Sequence, residues 1–272
     1  MKKKIVIIGS NSSLAKQLIK KLKNTTQLLQ LTRNNVDVVK SFEKLKKILN
    51  HFKPSIIINC VGVTKFLDCE KDPLNAYLVN SNFPIKLSEY TKGRNILLIH
   101  FSTEAVYEDG LKQLPNENTS PNPSTIYGNS KYIADMALLR AQNTLIIRLP
   151  TLVGPTQDHQ IINKILKKLN LGQKVFVSKD IYSTPINTVD FSNFFLKNII
   201  FKKTFYKKKI IHLCSKKRLS TYQILKKIVN EKEVIQRIIP VSENFFKNKF
   251  MKPKKLGLKS IYKKCRRIFK YE

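Results

Sequence analysis

Tyr127 and Lys131 are residues whose types and spacing could carry chemistry in this 272-residue chain. The segment that continues to Ala141 has helical character, and residues four positions apart share one face of a helix. A tyrosine in water titrates at ~10, and a fixed cation beside it favours the phenolate and lowers that pKa. The pair could therefore exchange a proton with a carbonyl or hydroxyl oxygen.

The Tyr-x-x-x-Lys spacing alone does not distinguish a catalytic pair from a solvated helix face. The chain is rich in both residue types, and Tyr222 and Lys226 repeat the spacing. Thr103, however, lies 24 positions before Tyr127 at the end of an apolar run, whereas the position 24 before Tyr222 is Asn198. A hydroxyl delivered at the end of a strand favours the catalytic interpretation for Tyr127.

The first 150 residues alternate short apolar runs with amphipathic segments. This alternation predicts the α/β class, with a doubly wound parallel sheet of the Rossmann type. The predicted strands are residues 4–8, 27–31, 55–60, 95–101 and 144–148, and the predicted helices include residues 13–22, 42–52 and 127–141. Such sheets bind ligands at the carboxyl ends of their strands. Residues that follow the strands are therefore the first candidates for a site.

The turn after the first predicted strand reads Gly9-Ser10-Asn11-Ser12-Ser13-Leu14-Ala15. A strand, a glycine and a helix in this order begin a dinucleotide-binding fold, whose turn is usually richer in glycine. Here Ser12 stands where the backbone must approach the pyrophosphate. We expect Gly9, Ser12, Ser13 and Leu14 to hold the cofactor at the helix N-terminus. An ordinary strand–helix turn is the alternative.

Arg33 follows the second predicted strand. An acidic residue in this place accepts the ribose hydroxyls of NAD, and a basic one suits the 2′-phosphate of NADP. NADPH is therefore the expected cofactor, with NADH as the alternative. A surface arginine without a function is the competing interpretation in a chain this basic.

We expect two units. Residues 1–150 are predicted to form the dinucleotide-binding domain. Residues 151–272 are predicted to form a smaller mixed α/β lobe that binds substrate, interleaved with the last strands of the sheet and ending in a basic segment.

The formal net charge of +33 is concentrated toward the end of the chain. The last 72 residues hold 23 Lys and Arg but 4 Asp and Glu. A tail that binds RNA or a membrane surface is one interpretation. A lysine-rich compositional bias is the one we favour, so nucleic acid is not an expected partner.

Other features of the composition exclude several classes of protein. No apolar run approaches ~20 residues, so no membrane span is expected. The first residues do not continue as a signal peptide, and we expect a cytoplasmic protein. The four cysteines have no paired metal-ligand spacing and only four histidines are present, so no metal site is expected. A homodimer remains open.

Seven segments share their order and spacing with one known family. They are KPSIIINC at 53–60, DCEKDP at 68–73, VN at 79–80, HFSTEAVY at 100–107, PSTIYGNSK at 123–131, IR at 147–148 and STPIN at 183–187. Together they resemble the extended short-chain dehydrogenase/reductase family, and within it the branch of dTDP-4-dehydrorhamnose reductases. The resemblance covers most of residues 1–200.

The resemblance implies a reductase that uses NAD(P)H to reduce the 4-keto group of a nucleotide-activated 6-deoxy sugar. Such a reaction belongs to the synthesis of dTDP-rhamnose or of cell-surface polysaccharide, including O-antigen. By position, Thr103 would bond the keto oxygen and Tyr127 would protonate it. Lys131 would hold the nicotinamide ribose and lower the pKa of Tyr127.

The resemblance also implies the residues that surround the reacting atoms. The cofactor would be lined by residues after the third strand and in the following helix, namely Cys60, Val61, Gly62 and Asn80. The sugar would meet Thr64, Glu104, Thr151 and Pro185.

Three departures from the branch keep other functions open. The turn after the first strand has one glycine, Glu104 stands where Asp is frequent, and the chain has no Trp where Ser/Thr-Trp usually follows Arg148. An NAD-dependent sugar-nucleotide epimerase or dehydratase is one alternative. A module of the same fold that binds a cofactor or nucleotide sugar without turnover is another.

Overall fold

The computed structural model describes residues 2–154, 161–229, 231–246, 253–262 and Cys265. The strands are β1 (Lys4–Ile8), β2 (Gln27–Leu31), β3 (Ile56–Asn59), β4 (Leu97–Thr103), β5 (Thr144–Leu149), β6 (Leu152–Val153), β7 (Val175–Ser178), β8 (Tyr182–Ser183), β9 (Ile186–Asn187), β10 (Ile210–His212), β11 (Leu219–Ser220) and β12 (Ile238–Val241).

The α-helices are α1 (Ser13–Leu22), α2 (Phe42–Phe52), α3 (Phe66–Lys71), α4 (Pro73–Tyr77), α5 (Phe83–Thr91), α6 (Ile126–Arg140), α7 (Ile161–Asn170), α8 (Thr188–Phe194), α9 (Thr221–Ile228) and α10 (Lys232–Gln236). Two π-helical stretches (Leu78–Asn82 and Phe195–Phe201) and two 3-10 turns (Glu104–Val106 and Glu243–Phe246) accompany them. Every helix in this described part of the chain is too short or too polar to span a bilayer.

Six strands form one parallel sheet in the order β2-β1-β3-β4-β5-β10. Every residue of β3, β4 and β5 is buried, because helices cover both faces of the sheet. Strands of this kind read as continuous apolar runs, which is why the sequence revealed them. The predicted doubly wound α/β fold is confirmed.

The two faces of the sheet have separate cores. On one face, α1 and α8 pack together, and Phe191 and Phe195 lie against Phe101 with ring centroids 5.9 and 6.0 Å apart. On the other face, α2, α5 and α6 contribute Leu45, Leu87 and other side chains. Since α8 and β10 lie beyond residue 150, the second half of the chain completes the sheet.

The order of the strands reverses between β1 and β3. Gly9 follows β1 with a φ of +81°, and a Cβ added to it would lie 2.9 Å from both Cys60 C and Val61 N. Glycine alone permits this backbone and this approach without strain. The turn after β1 therefore lies directly against the turn after β3, at the crevice where sheets of this kind bind ligands.

Several elements that follow β5 build a smaller body beside the sheet. Three two-stranded sheets pair β6 with β9, β8 with β11 and β7 with β12. Side chains of α7, β7, α9 and β12 form a separate apolar core, which includes Ile162, Val177, Leu225 and Ile238.

Glu117 fastens the loop that leads into α6. Its carboxylate accepts hydrogen bonds from His212 N at 2.8 Å, Ser260 Oγ at 2.6 Å and Ile261 N at 2.8 Å. Lys259 N also donates to Pro115 O at 2.8 Å. The loop is thus held by β10 and by residues 259–261. The basic end predicted for the chain lies largely outside the described residues.

Candidate active site

The start of α6 is set by two side chains. Thr125 Oγ1 accepts a hydrogen bond from Gly128 N at 3.0 Å, and Glu70 Oε1 accepts one from Ile126 N at 3.0 Å. The first amide groups of a helix have no partner within the helix, so such acceptors decide where it begins. Tyr127 therefore falls in the first turn of α6, and Lys131 lies one turn further along.

Gly128 allows α6 to approach the end of β4. A Cβ added to Gly128 would lie 2.1 Å from Ala105 O, so any larger residue would displace the helix. Ala105 N in turn donates to Thr103 Oγ1 at 3.2 Å. This contact brings Tyr127 beside Thr103, whose side chain hydrogen-bonds the phenol.

Burial raises the pKa of Tyr127 to about 12, and the hydrogen bond from Thr103 only partly opposes the rise. Phe66 packs edge-on against the phenol, with the ring centroids 5.1 Å apart. The phenol is therefore protonated at neutral pH, which is the form that a general acid requires. The lowered pKa expected from the sequence is not seen, because desolvation outweighs the neighbouring polar groups.

Lys131 is held under the sheet edge and is 4% exposed. Its Nζ donates to Phe101 O at 3.0 Å rather than to the phenol. Burial lowers the pKa of Lys131 to about 8, and the carboxylate of Asp135, one turn along α6, opposes this. Most Lys131 side chains thus remain charged at neutral pH.

Asn80 joins α6 to the turn after β3. Its amide exchanges hydrogen bonds with Val63 N and Val63 O, each at 2.9 Å, and donates to Ser130 Oγ at 3.0 Å. A Cβ on Gly62 would lie 3.2 Å from Asn80 Oδ1 and 3.3 Å from Lys131 Nζ. The π-helical stretch that carries Asn80 interrupts the single helix expected here, and such bulges frequently mark functional sites.

Cys60 and Val61 form the floor of the crevice next to Gly9. Val61 N is held by Asn59 Oδ1 at 3.0 Å, and Asn59 Nδ2 lies 3.1 Å from His100 Nδ1. Burial raises the pKa of the Cys60 thiol to about 12, so it stays neutral. Its role here is packing, since the thiolate is the reactive form of cysteine.

Ser12 caps α1 in the turn after β1. Its hydroxyl accepts a hydrogen bond from Ala15 N at 3.2 Å. Leu14 turns its side chain into the core, so only its backbone can face a phosphate. Ser12, Ser13 and Leu14 therefore stand at the positive end of α1, where amide groups favour an anion.

Arg33 extends into solvent after β2 and forms an ion pair with Asp37, Nε to Oδ2, at 3.7 Å. A cavity of about 530 Å³ lies nearby, between the turn after β1 and the end of β2. Two of its lining residues are lysines and none is acidic; they are Ser10, Asn11, Lys16, Ile19, Lys20, Gln30 and Thr32. The cavity does not reach Tyr127 and suits the phosphate-bearing adenosine half of a dinucleotide.

Glu104, expected to contact the sugar, has its carboxylate bound within the protein. Ser183 Oγ lies 2.7 Å from Glu104 Oε1 and 3.0 Å from Oε2, and the same hydroxyl accepts from Thr151 N at 3.1 Å. Burial raises the pKa of Glu104 to about 8, although hydrogen bonds from Ser183 and Thr151 and the charge of Arg218 oppose it. Glu104 thereby links the end of β4 to β8.

Glu104→Gln should make folding less dependent on pH. Because the folded-state pKa is raised, the protonated carboxyl is favoured by folding, and stability is lost as the pH rises from the unfolded value toward about 8. The thermal midpoint of Glu104→Gln, minus that of the wild type, should increase between about pH 5 and pH 8. The exposed Glu108→Gln is the control. A difference that stays constant with pH would contradict this assignment.

The other residues expected on the sugar side are divided between two places. Thr64 is exposed next to Gly62, with its methyl group 3.7 Å from where a Gly62 Cβ would lie. Thr151 is half-buried at the Ser183 hydroxyl. Pro185 is buried directly before β9.

The groups at the carboxyl ends of the parallel strands fit a nicotinamide dinucleotide. The N-terminus of α1 and the basic cavity suit its phosphates. Gly62, whose missing Cβ leaves room between Asn80 and Lys131, suits the nicotinamide ribose. No group of three or more His, Cys, Asp and Glu that could hold a metal ion occurs among the described residues.

Several residues that shape the site were missed in the sequence. Phe66, Ser130, Asp135 and Ser183 act through contacts with residues distant along the chain. Asp135 had a usable signal, because it is the acidic residue one turn after Lys131 in the same predicted helix. Ser183 had none, since its partner Glu104 is 79 positions away.

Known proteins resemble the chain over about two thirds of its length or more. The spore coat polysaccharide biosynthesis protein SpsK of Bacillus subtilis (strain 168) is 23% identical over 92% of this chain and 87% of its own. A dTDP-4-dehydrorhamnose reductase of Burkholderia thailandensis is 26% identical over 67% of this chain and 61% of its own. The chain matches less than two thirds of the length of several such reductases.

Solved structures show the same fold. The dTDP-4-dehydrorhamnose reductase of Bacillus anthracis str. Ames, in complex with NADP, superimposes with a TM-score of 0.84 at 21% identity, over 95% of this chain and 91% of that one. The RmlD substrate binding domain family matches residues 2–270. The chain therefore belongs to the RmlD substrate binding domain family, among the extended short-chain dehydrogenases/reductases.

Proposed function

We propose that the protein is an NADPH-dependent reductase of the 4-keto group of a nucleotide-activated 6-deoxy sugar. The convergence of Thr103, Tyr127 and Lys131 beside Gly62 and Asn80 carries the proposal. Relatives named dTDP-4-keto-6-deoxy-D-glucose reductase and dTDP-4-dehydrorhamnose reductase support the substrate class. A relative named for spore coat polysaccharide supports a place in the synthesis of surface polysaccharide.

Tyr127 is the proton donor in this reaction. Its phenol is neutral at physiological pH, so it can protonate the keto oxygen as the carbon is reduced. Thr103 holds the same oxygen through its hydroxyl. The nicotinamide, when bound, supplies the hydride to the carbon. Lys131, whose ammonium lies next to Gly62, would bond the nicotinamide ribose.

The sugar meets a surface without tryptophan. Phe66, packed on the Tyr127 ring, supplies an apolar wall next to the reacting oxygen. Thr64, beside Gly62, would contact the sugar from one side, and Thr151 and Pro185, near Ser183 and β9, from another. Glu104 does not contact the sugar in this proposal. It positions Thr151 indirectly, because the Ser183 hydroxyl bonds both residues.

The direct test is consumption of NADPH with a panel of dTDP- and UDP-linked 4-keto-6-deoxy sugars. We expect oxidation with at least one of them and a product reduced at C4. A protein that purifies with bound NAD and oxidises no added NADPH would instead be an epimerase or dehydratase. Cofactor binding without turnover on any sugar would identify a non-catalytic module.

Arg33→Ser should weaken the preference for NADPH over NADH. A charge-assisted bond to the 2′-phosphate contributes about 1.5–3 kcal/mol, so KM for NADPH should rise roughly 10-fold or more. KM for NADH, which lacks that phosphate, should change little. Arg140→Ser, on the exposed end of α6, is the matched control. An equal change in KM for NADPH and NADH would show that Arg33 does not bind the 2′-phosphate.

A further inference from the structure

Three phenylalanines form an exposed cluster on the smaller body, which we call the aromatic patch: Phe176, Phe245 and Phe246. They are 49%, 54% and 39% exposed. Phe176 and Phe245 have ring centroids 4.9 Å apart, and Phe245 and Phe246 are 5.6 Å apart. Phe176 lies on β7 between two buried valines. Successive side chains of a strand point to opposite faces, so Phe176 points to solvent.

Lysines surround the aromatic patch. Lys174 and Lys179 are exposed at the two ends of β7, and Lys254 Nζ donates to Asn244 Oδ1 at 3.3 Å, next to Phe245. Glu243 begins the 3-10 turn that carries Phe245 and Phe246, and it is the acidic residue nearest to them in the sequence. The nearby carboxylate of Asp180 is bound by Ser242 Oγ and Glu243 N, both at 2.8 Å. Among the described residues beside the patch, the three lysines therefore outnumber the two carboxylates of Asp180 and Glu243.

We propose that the aromatic patch docks the protein on an anionic membrane surface. Aromatic rings that insert into the headgroup region, with lysines around them, are the features by which peripheral proteins bind such surfaces. Each lysine near an anionic leaflet contributes by attraction to the lipid charge. The net charge of +33 draws the protein to the same surface.

The arrangement of the rings favours lipid over single-stranded RNA. Bases stack on open ring faces, usually along a groove. Here Phe245 lies between Phe176 and Phe246, and the three rings pack on one another as an apolar knob. A knob inserts between headgroups but offers little face for a base.

The test compares sedimentation of the full chain with vesicles of phosphatidylcholine and with vesicles that also contain phosphatidylglycerol. We expect binding to the anionic vesicles only, weakened by salt. The double variant Phe176→Ser/Phe245→Ser should lose roughly 10-fold or more in affinity, because two half-exposed rings no longer insert. Circular dichroism and thermal unfolding establish that the variant is folded.

Phe201→Ser is the matched control. Phe201 is 48% exposed and precedes Lys202 and Lys203, but it lies on the π-helical stretch after α8, outside the aromatic patch. It should leave vesicle binding unchanged. Equal binding to both kinds of vesicle, or full binding by the double variant, would overturn the proposal. So would binding of a single-stranded RNA oligonucleotide, or self-association seen by light scattering, that depends on the two rings without any vesicle binding.

Discussion

Tyr127→Phe should lower kcat about 10²- to 10⁴-fold, the range that a positioned proton donor contributes. The phenol beside Thr103 is the acid in the proposed reaction. Because its pKa is about 12, the phenol is protonated at neutral pH and can donate to the keto oxygen of the substrate. The ring itself remains, so its contact with Phe66 and the fold should persist. Turnover is measured by NADPH oxidation, and NADPH affinity by calorimetric titration.

Tyr222→Phe is the control for that experiment. It removes the same hydroxyl from the second Tyr-x-x-x-Lys pair, whose Lys226 Nζ lies 5.7 Å from the ring centroid on α9. Its kcat should equal that of the wild type. If Tyr127→Phe turned over as fast as the wild type, the proton would come from elsewhere and the assignment of Tyr127 would be wrong.

Asp135→Asn should destabilise the fold by about 3–5 kcal/mol, because it leaves a buried guanidinium without its counter-charge. Arg148 Nε lies 2.9 Å from Asp135 Oδ2, and both side chains are almost fully buried. Ser102 Oγ donates to the same oxygen at 2.9 Å. The free energy of unfolding is measured by denaturant titration.

Two comparisons separate this pair from ordinary surface charges. Asp68→Asn breaks an exposed pair with Lys65, 3.4 Å long, and should cost less than about 1 kcal/mol. Asp135→Asn combined with Arg148→Met removes both buried charges and should recover part of the loss. A loss of stability no larger for Asp135→Asn than for Asp68→Asn would show that the buried charge is compensated in another way.

Local periodicity explains why most of the sheet could be predicted. The apolar run of β3 and the helical spacing of α1 are visible within ten residues, and the side chains after the strands must meet at one edge. The partners of those side chains depend on contacts between distant segments. Glu104 looks like a sugar ligand in sequence, yet the hydroxyl of Ser183, supplied by β8, occupies its carboxylate.

The pKa of Tyr127 illustrates the same division. The spacing of Tyr127 and Lys131 predicts one shared helix face, but not the depth of burial or the direction of the ammonium. Lys131 reaches the carbonyl of Phe101, and desolvation then dominates the phenol. Asn80 bonds Val63 from a π-helical stretch, and such a stretch has no signature in hydrophobic spacing.

The three hydrogen bonds of Glu117 affect the order in which the protein folds during translation. The loop before Tyr127 is secured by Ser260 and Ile261, which a ribosome adds more than 130 residues after Tyr127 itself. Long-range contacts of this kind form late in folding. A nascent chain can therefore assemble its sheet early, while its catalytic loop is secured only after Ser260 and Ile261 have been added.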